Sequence, residues 1–315
     1  MFYSIIIPCY KSDKMLEEVV SLTVSELEKA GIEKYEFVLV NDCSPDEGKT
    51  WKKIKELSEN YSYVKGVNFS KNFGQHSAII AGLKYARGDC FISMDDDLQT
   101  HPSQLTKLIN AFHGGYDVVY GFYPEKKHSL FRKLGTGFNN WTAEKLLHKP
   151  KEIHCTSFWI VRKFVRDNIV NFDGPHPYLL GIILKTTSNI KSVPVKHFER
   201  KYGHSGYTLK KLFGLWANYI GFSILPLRLV TYCGYSISAL SLLGGAIVFI
   251  RRLMDPSLSA GWPSIMIIIL LSLGIQLIFL GFVGEYVGRA YLKLNNEPQY
   301  IVKETINIEE SESEP

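Results

Sequence analysis

Along residues 1–120, short apolar runs alternate with stretches in which apolar positions recur every three or four residues. Residues 3–8 (Tyr-Ser-Ile-Ile-Ile-Pro) form a β-branched run closed by proline, which predicts a strand. Residues 13–30 put Leu16, Val19, Val20, Thr23 and Leu27 on one helical face and stop at Gly31. Runs at 37–40, 64–69 and 91–94 predict further strands. Helices are predicted through Trp51, Ile54 and Leu57, over 75–86, and after Pro102. Strands alternating with helices of about ten to fifteen residues specify βαβ units on a parallel sheet, an α/β fold.

After Asp117-Val118-Val119-Tyr120 the pattern changes. Residues 129–147 carry Leu130, Phe131, Leu134, Phe138 and Trp141 at helical spacing, with Arg132 and Lys133 beside them. Residues 207–222 repeat this with Leu209, Leu212, Phe213, Trp216, Tyr219 and Ile220 against Lys210 and Lys211. Such helices suit a membrane surface, and equally a stripe packed on the sheet. Residues 229–250 and 264–284 hold no charged side chain. Each is long enough to cross a hydrocarbon layer of roughly 30 Å at about 1.5 Å per residue. They predict a transmembrane hairpin, which keeps both chain ends on one side. Lys210, Lys211, Arg228, Arg289 and Lys293 assign that side to the cytosol, while Arg251 and Arg252 in the intervening loop count against it. Residues 309–314 read as a solvated acidic tail.

The averages of the 315-residue chain, 46% hydrophobic and 21% charged with a net charge of +5, conceal this division. Its five cysteines (Cys9, Cys43, Cys90, Cys155, Cys233) are odd in number and widely spaced. That suits reduced thiols in a cytosolic domain rather than a disulfide framework or zinc site. The first residues enter a strand with no basic leader, which argues against a signal peptide. Two glycosylation sequons, at Asn68 and Asn140, are then chance matches.

The chemistry concentrates where apolar runs stop. The 91–94 run ends in Asp95-Asp96-Asp97, and the 37–40 run ends in Asn41-Asp42. In an extended segment Asp95 and Asp97 would share one face and Asp96 the other. Carboxylates at the carboxyl end of a strand can hold a hard divalent cation together with phosphate oxygens. A solvated acidic turn before the Pro102 helix fits these three residues equally well. No Gly-x-Gly-x-x-Gly follows the first strand and no Walker A sequence occurs, which argues against a dinucleotide fold or a P-loop enzyme. His76, His101, His154, His176, His197 and His204 show no metal-ligand spacing and read as structural.

Lys71-Asn72-Phe73-Gly74-Gln75-His76-Ser77-Ala78-Ile79-Ile80-Ala81-Gly82, then Gly88-Asp89 and Met94-Asp95-Asp96-Asp97-Leu98-Gln99, resemble the family 2 glycosyltransferases that act on polyprenyl phosphates. The family includes dolichyl-phosphate mannose synthases and the bacterial undecaprenyl-phosphate glucosyl and aminoarabinose transferases. The resemblance continues through Arg200-Lys201-Tyr202-Gly203-His204-Ser205-Gly206-Tyr207, Pro226-Leu227-Arg228, Gly284-Glu285-Tyr286-Val287-Gly288-Arg289 and Glu297-Pro298-Gln299-Tyr300-Ile301-Val302, so it spans nearly the whole chain.

It implies a GT-A catalytic domain over 1–206 with a Rossmann-like, mostly parallel sheet. An interfacial helix at 207–228, a hairpin over 229–290 (spans of about 229–250 and 264–288) and a cytosolic tail at 291–315 would follow. By resemblance, Pro8 and Tyr10 flank the uracil of a UDP-sugar, while Lys11 and Ser12 depart from the family's Asn-Glu. Asp42, Lys71, Asp95 and Asp96 fall on the nucleotide side, and Asp97 with Gln99 holds Mg²⁺ or Mn²⁺. Arg132, Arg200 and Ser205 meet the acceptor phosphate. Ser157 stands where many relatives carry an aspartate proposed as base, so Asp97, Arg200 and Ser157 form the expected catalytic set.

The expected reaction is inverting transfer of one sugar, glucose first, from the UDP-sugar to undecaprenyl phosphate at the cytosolic face of the cytoplasmic membrane. N-acetylglucosamine or an amino sugar is the alternative cargo. The expected partners are the lipid, the bilayer and further copies of the chain, with a tetramer among the assemblies allowed, and no nucleic acid. An inactive membrane scaffold is the competing class. A processive synthase would show Gln-x-x-Arg-Trp and more spans, and a flippase would need more wall than two helices supply.

Overall fold

The computed structural model describes residues 1–124, 149–174, 177–198, 225–254, 261–295 and 297–308, with 144, 145 and 147. Four parallel strands form its centre: β1 (Tyr3–Cys9), β2 (Tyr35–Asn41), β3 (Val64–Phe69) and β4 (Cys90–Ser93). Ile5, Ile6 and Ile7 are all fully buried, because helices cover both faces of the sheet. One face packs on α1 (Leu16–Lys29), α2 (Lys49–Asn60) and α4 (Leu105–His113). The other packs on α3 (Gln75–Tyr85), α5 (Lys163–Val170) and α6 (Leu179–Thr186). Gly82 lets α3 lie close to the sheet, since a Cβ there would sit 2.5 Å from the Ile6 Cγ2.

The sheet has eight strands in the order β7-β5-β6-β4-β1-β2-β3-β8, adding β5 (Val118–Phe122), β6 (Trp159–Arg162), β7 (Ile190–Pro194) and β8 (Val302–Ile306). It is mixed, because β6 runs antiparallel to β4 and β5, and β8 antiparallel to β3. The chain direction across the sheet reverses between β1 and β4. Open α/β sheets bind ligands outside the strand carboxyl ends at such a point.

Two long helices, α7 (Leu225–Met254) and α8 (Trp262–Leu294), touch one another and leave Leu240, Ile268, Leu277 and Leu280 more than half exposed. They extend past the uncharged runs at both ends. Among the described residues one stretch, Ser272–Leu294, is long and apolar enough to cross a membrane. The helices expected over 129–147 and 207–222 lie outside the described residues, apart from 144, 145 and 147.

The C-terminal segment is not a free tail from residue 291. After α8 it returns to the sheet as β8, opposing Gly66 with Ile306 and Asn68 with Glu304. Glu304 accepts from the Trp51 indole at 2.8 Å and pairs with Lys55 at 2.7 Å. Ile301-Val302-Lys303-Glu304-Thr305-Ile306 is rich in β-branched residues but does not alternate apolar with polar, so its signal for a strand is weak.

Candidate functional site

The site lies on the carboxyl rim of β1, β2 and β4. β4 ends at Ser93, and the chain bends through residues 96–100. The alternation expected of an extended strand therefore does not reach Asp97. Leu98 adopts a left-handed backbone (φ 57°), and the Gln99 N–H donates to Asp97 Oδ1 at 3.0 Å, folding the carboxylate over its own turn. Lys11 after β1 (φ 59°) and Cys43 after β2 (φ 48°) share this conformation. It costs a non-glycine residue about 1–2 kcal/mol, so three rim loops carry strain that the surrounding contacts must hold.

Asp95 and Asp96 point to different partners. Asp95 Oδ1 accepts from the Gln75 amide at 2.8 Å, and its Oδ2 accepts from the Ser157 hydroxyl. Burial pushes the Asp95 carboxyl up to about 6; the Ser157 hydrogen bond opposes the rise, and the charges of Asp97 and Asp96 add to it. Asp96 Oδ2 accepts from the Tyr10 N–H at 3.0 Å and from the Ser12 hydroxyl, tying β4 to β1 across the reversal point. Burial raises its carboxyl as well, against those two donors. Ser12, a departure from the resembled motif, is thus built into the rim.

Asp42 is 5% exposed, and its two carboxylate oxygens accept from the Phe73 N–H at 2.7 Å and the Gly74 N–H at 2.9 Å. Burial raises its carboxyl, and these two donors counter the rise. Asp42, expected from the sequence on the nucleotide side, anchors the loop that leads into α3. Lys71 on that loop is exposed, its ammonium 4.9 Å from the Phe73 ring centre. Pro8 is the penultimate residue of β1, opposite Val40, and Tyr10 is 48% exposed at the rim.

Behind Asp97, Thr100 shares a hydrogen bond with the Tyr123 hydroxyl, and the Tyr123 ring lies 4.4 Å from that of His197. The Phe198 N–H donates to the Gln99 carbonyl at 3.1 Å, and the Phe198 ring lies 4.8 Å from that of His101. Asp42, Asp95, Asp96, Asp97, Gln99, Ser157, Pro8, Tyr10 and Lys71 therefore all lie on loops or strand ends of this rim. Arg132, Arg200 and Ser205 lie outside the described residues. Gln75, Ser12, Tyr123 and Phe198 were not among the expected site residues, although Gln75 stands within the motif block that starts at Lys71.

Among the described residues no three His, Cys, Asp or Glu side chains form a metal cage. The carboxylate oxygens at positions 95 and 97 and the amide oxygen of Gln99 are nevertheless hard donors. They suit Mg²⁺ or Mn²⁺ that takes the rest of its shell from phosphate and water.

Residues 4–170 match the family model for glycosyl transferase family 2. The Bacillus subtilis protein YkcC, described as an uncharacterized glycosyltransferase, is 32% identical over 98% of this chain and 95% of its own length. The undecaprenyl-phosphate 4-deoxy-4-formamido-L-arabinose transferase of Edwardsiella ictaluri is 28% identical over 99% of this chain and 97% of its own. Among solved structures, glucosyl-3-phosphoglycerate synthase from Mycobacterium tuberculosis in complex with Mn²⁺ and UDP-glucose superposes with a TM-score of 0.52. That match has 16% identity and covers 74% of this chain and 79% of the synthase, which shows a shared fold.

Proposed function

The chain belongs to glycosyl transferase family 2, and from that premise we propose that it moves a single sugar from a UDP-sugar to a polyprenyl phosphate at a membrane face. One observation carries the acceptor. The similarity to the Edwardsiella ictaluri undecaprenyl-phosphate transferase runs over 99% of the chain, so it includes α7 and α8 as well as the sheet. Exposed apolar faces on both helices support a hydrocarbon environment. The strand β8 supports a hairpin, because a chain that leaves the sheet before α7 and rejoins it after α8 must cross any bilayer an even number of times.

For the donor, the rim at the β1–β4 reversal supports a nucleotide held by Pro8, Tyr10, Asp42, Lys71, Asp95 and Asp96. Asp97 and Gln99 would hold Mg²⁺ or Mn²⁺ against the diphosphate, where the ion supplies neutralisation of charge on the departing UDP, worth several kcal/mol. Arg132, Arg200 and Ser205 would receive the lipid phosphate; the planar guanidinium fork suits its oxygens. A phosphate monoester has a second pKa near about 6, so at neutral pH the attacking oxygen is already ionised. It needs positioning more than a base, which accords with a serine at 157 committed to Asp95. One phosphate oxygen bonds to the anomeric carbon as the bond to UDP breaks, and the configuration inverts.

The test is incubation of the purified full chain with Mn²⁺, undecaprenyl phosphate and UDP-glucose, UDP-N-acetylglucosamine or UDP-4-deoxy-4-formamido-L-arabinose. Release of UDP matched by a new glycolipid with one of them is the expected result. The name of the Edwardsiella relative favours the formamido sugar over glucose. UDP release that is unchanged when the lipid is left out would overturn the acceptor.

A further inference from the structure

The segment that follows α8 does more than complete the sheet edge. The Tyr300 ring stacks on Phe69, the last residue of β3, with centroids 5.2 Å apart and planes 12° apart. Phe69 in turn meets Phe73 edge-on at 5.6 Å and 85°. Between them the Ser70 N–H donates to the Ile301 carbonyl at 3.0 Å. Phe73 and Gly74 are the residues whose N–H groups hold the Asp42 carboxylate, and the next residue, Gln75, reaches Asp95. A continuous line of contact thus runs from Tyr300 to two rim carboxylates.

The loop at 71–74 needs such support. Lys71 and Asn72 are exposed, and Gly74 has φ 89°, a backbone open to many conformations without outside contacts. Asp42 fixes its inner side through two hydrogen bonds. On the outer side, the ladder between β3 and β8 becomes irregular between Asn68 and Phe69, so regular pairing does not continue into the loop. Aromatic stacking and the Ser70–Ile301 bond take over there. The Gln299 side chain donates to the Phe172 carbonyl and Asn307 donates to the Ser58 and Val64 carbonyls (2.7 and 2.9 Å), which anchors the segment on either side of Tyr300.

We infer that Tyr300 is a positioning residue for the donor nucleotide, acting through Phe69 and Phe73 on the Phe73–Gly74 loop that holds Asp42. The inference rests on the reading of the Asp42 rim as the nucleotide site. It assigns the donor half of the enzyme a part that the chain delivers only after its two long apolar helices.

The experiment compares full-length wild type with Tyr300→Ala, Tyr300→Leu and Tyr300→Phe. Each is measured for KM of the UDP-sugar, KM of undecaprenyl phosphate, kcat, and amide hydrogen exchange over residues 70–76. An aromatic pair is worth about 0.5–1.5 kcal/mol, so Tyr300→Ala should raise donor KM about two- to twelvefold and leave acceptor KM unchanged. Exchange at 70–76 should accelerate, Tyr300→Leu should fall between, and Tyr300→Phe, which keeps the ring face, should restore wild-type values. Unchanged donor KM, equal rises in both KM values, or failure of Tyr300→Phe to rescue would overturn the inference. If the wild type binds no UDP, the proposed function fails instead. Exchange at 70–76 then still decides the mechanical claim, and no acceleration in Tyr300→Leu overturns it.

Discussion

Ser157 donates its hydroxyl proton to Asp95, 62 residues earlier in the chain, while Gln75 holds the other carboxylate oxygen at 2.8 Å. Both donors favour the ionised carboxylate against the burial that lifts Asp95 to about 6. A hydrogen bond to a charged group contributes about 1.5–3 kcal/mol, and 1.36 kcal/mol corresponds to one pKa unit. Ser157→Ala should therefore raise the acid limb of the kcat/KM profile by about one unit or more. A rise of one unit, from about 6 to about 7, should lower activity at pH 6.5 about threefold, with little change at pH 8.5, where Asp95 ionises in either protein. A profile over this range checks it, with Ser157→Thr as the hydroxyl-retaining control. An equal loss at every pH would mean that Ser157 acts by some route other than Asp95.

Asp97 is 8% exposed, and one of its oxygens caps the Gln99 N–H beside the left-handed Leu98. An asparagine keeps that acceptor oxygen and loses the charge. Asp97→Asn should melt within a degree or two of the wild type yet lose at least about a hundredfold in sugar transfer, the scale of several kcal/mol of charge neutralisation. Asp97→Ala removes the cap too and should melt lower. Circular-dichroism melts and UDP release with Mn²⁺ separate the two effects.

β1 to β4 were legible in the sequence because strands buried on both faces are written as unbroken apolar runs. Trp159–Arg162 was not, since a four-residue antiparallel strand carries too little periodicity to stand out. β8 was missed for another reason: its partner lies far away, with Asn307 bonded to the Ser58 carbonyl 249 residues earlier. The rim carboxylates could be read from where the runs stop. Their partners could not, because Ser12, Gln75 and Ser157 come from three separate parts of the chain and meet the carboxylates only once the sheet has formed, beside rim loops where Lys11, Cys43 and Leu98 take left-handed backbones. None of those three is a residue that advertises a left-handed backbone.

His76 packs beside Tyr178, with ring centroids 5.6 Å apart, and its buried Nδ1 finds no hydrogen-bond partner among the described residues. Burial alone lowers its pKa to about 4, below the 6.5 of an ordinary histidine. Between these values the unfolded chain binds more protons than the folded one, so stability rises with pH there. The contribution is complete above about pH 6.5 and is lost as pH falls toward 4, up to about 3 kcal/mol in all. The difference in melting temperature between wild type and His76→Gln, measured from pH 7.5 to 4.5, cancels the groups the two proteins share. It should favour the wild type most at high pH and shrink steadily below about 6.5.

At the amino ends of the strands, opposite the site, Lys65 and Glu36 form a buried pair at 3.1 Å, 7% and 4% exposed. Glu36 also accepts from the Ser4 hydroxyl at 2.6 Å and the Arg87 N–H at 2.5 Å, and Lys65 donates to the Tyr85 carbonyl at 3.2 Å. The first residues of β1, β2 and β3 are thereby joined to the turn after α3. Removing one partner of such a pair strands the other charge, so Lys65→Met should destabilise by about 3–5 kcal/mol. Adding Glu36→Gln should recover most of that loss, because the amide oxygen still accepts from Ser4 and Arg87 without an unpaired charge. Since the pair lies at the far end of the sheet from Asp95 and Asp97, donor KM of the folded fraction should match the wild type in both variants. Denaturant melts and donor KM together check this; a changed KM would mean that strand register at the amino ends is transmitted to the rim.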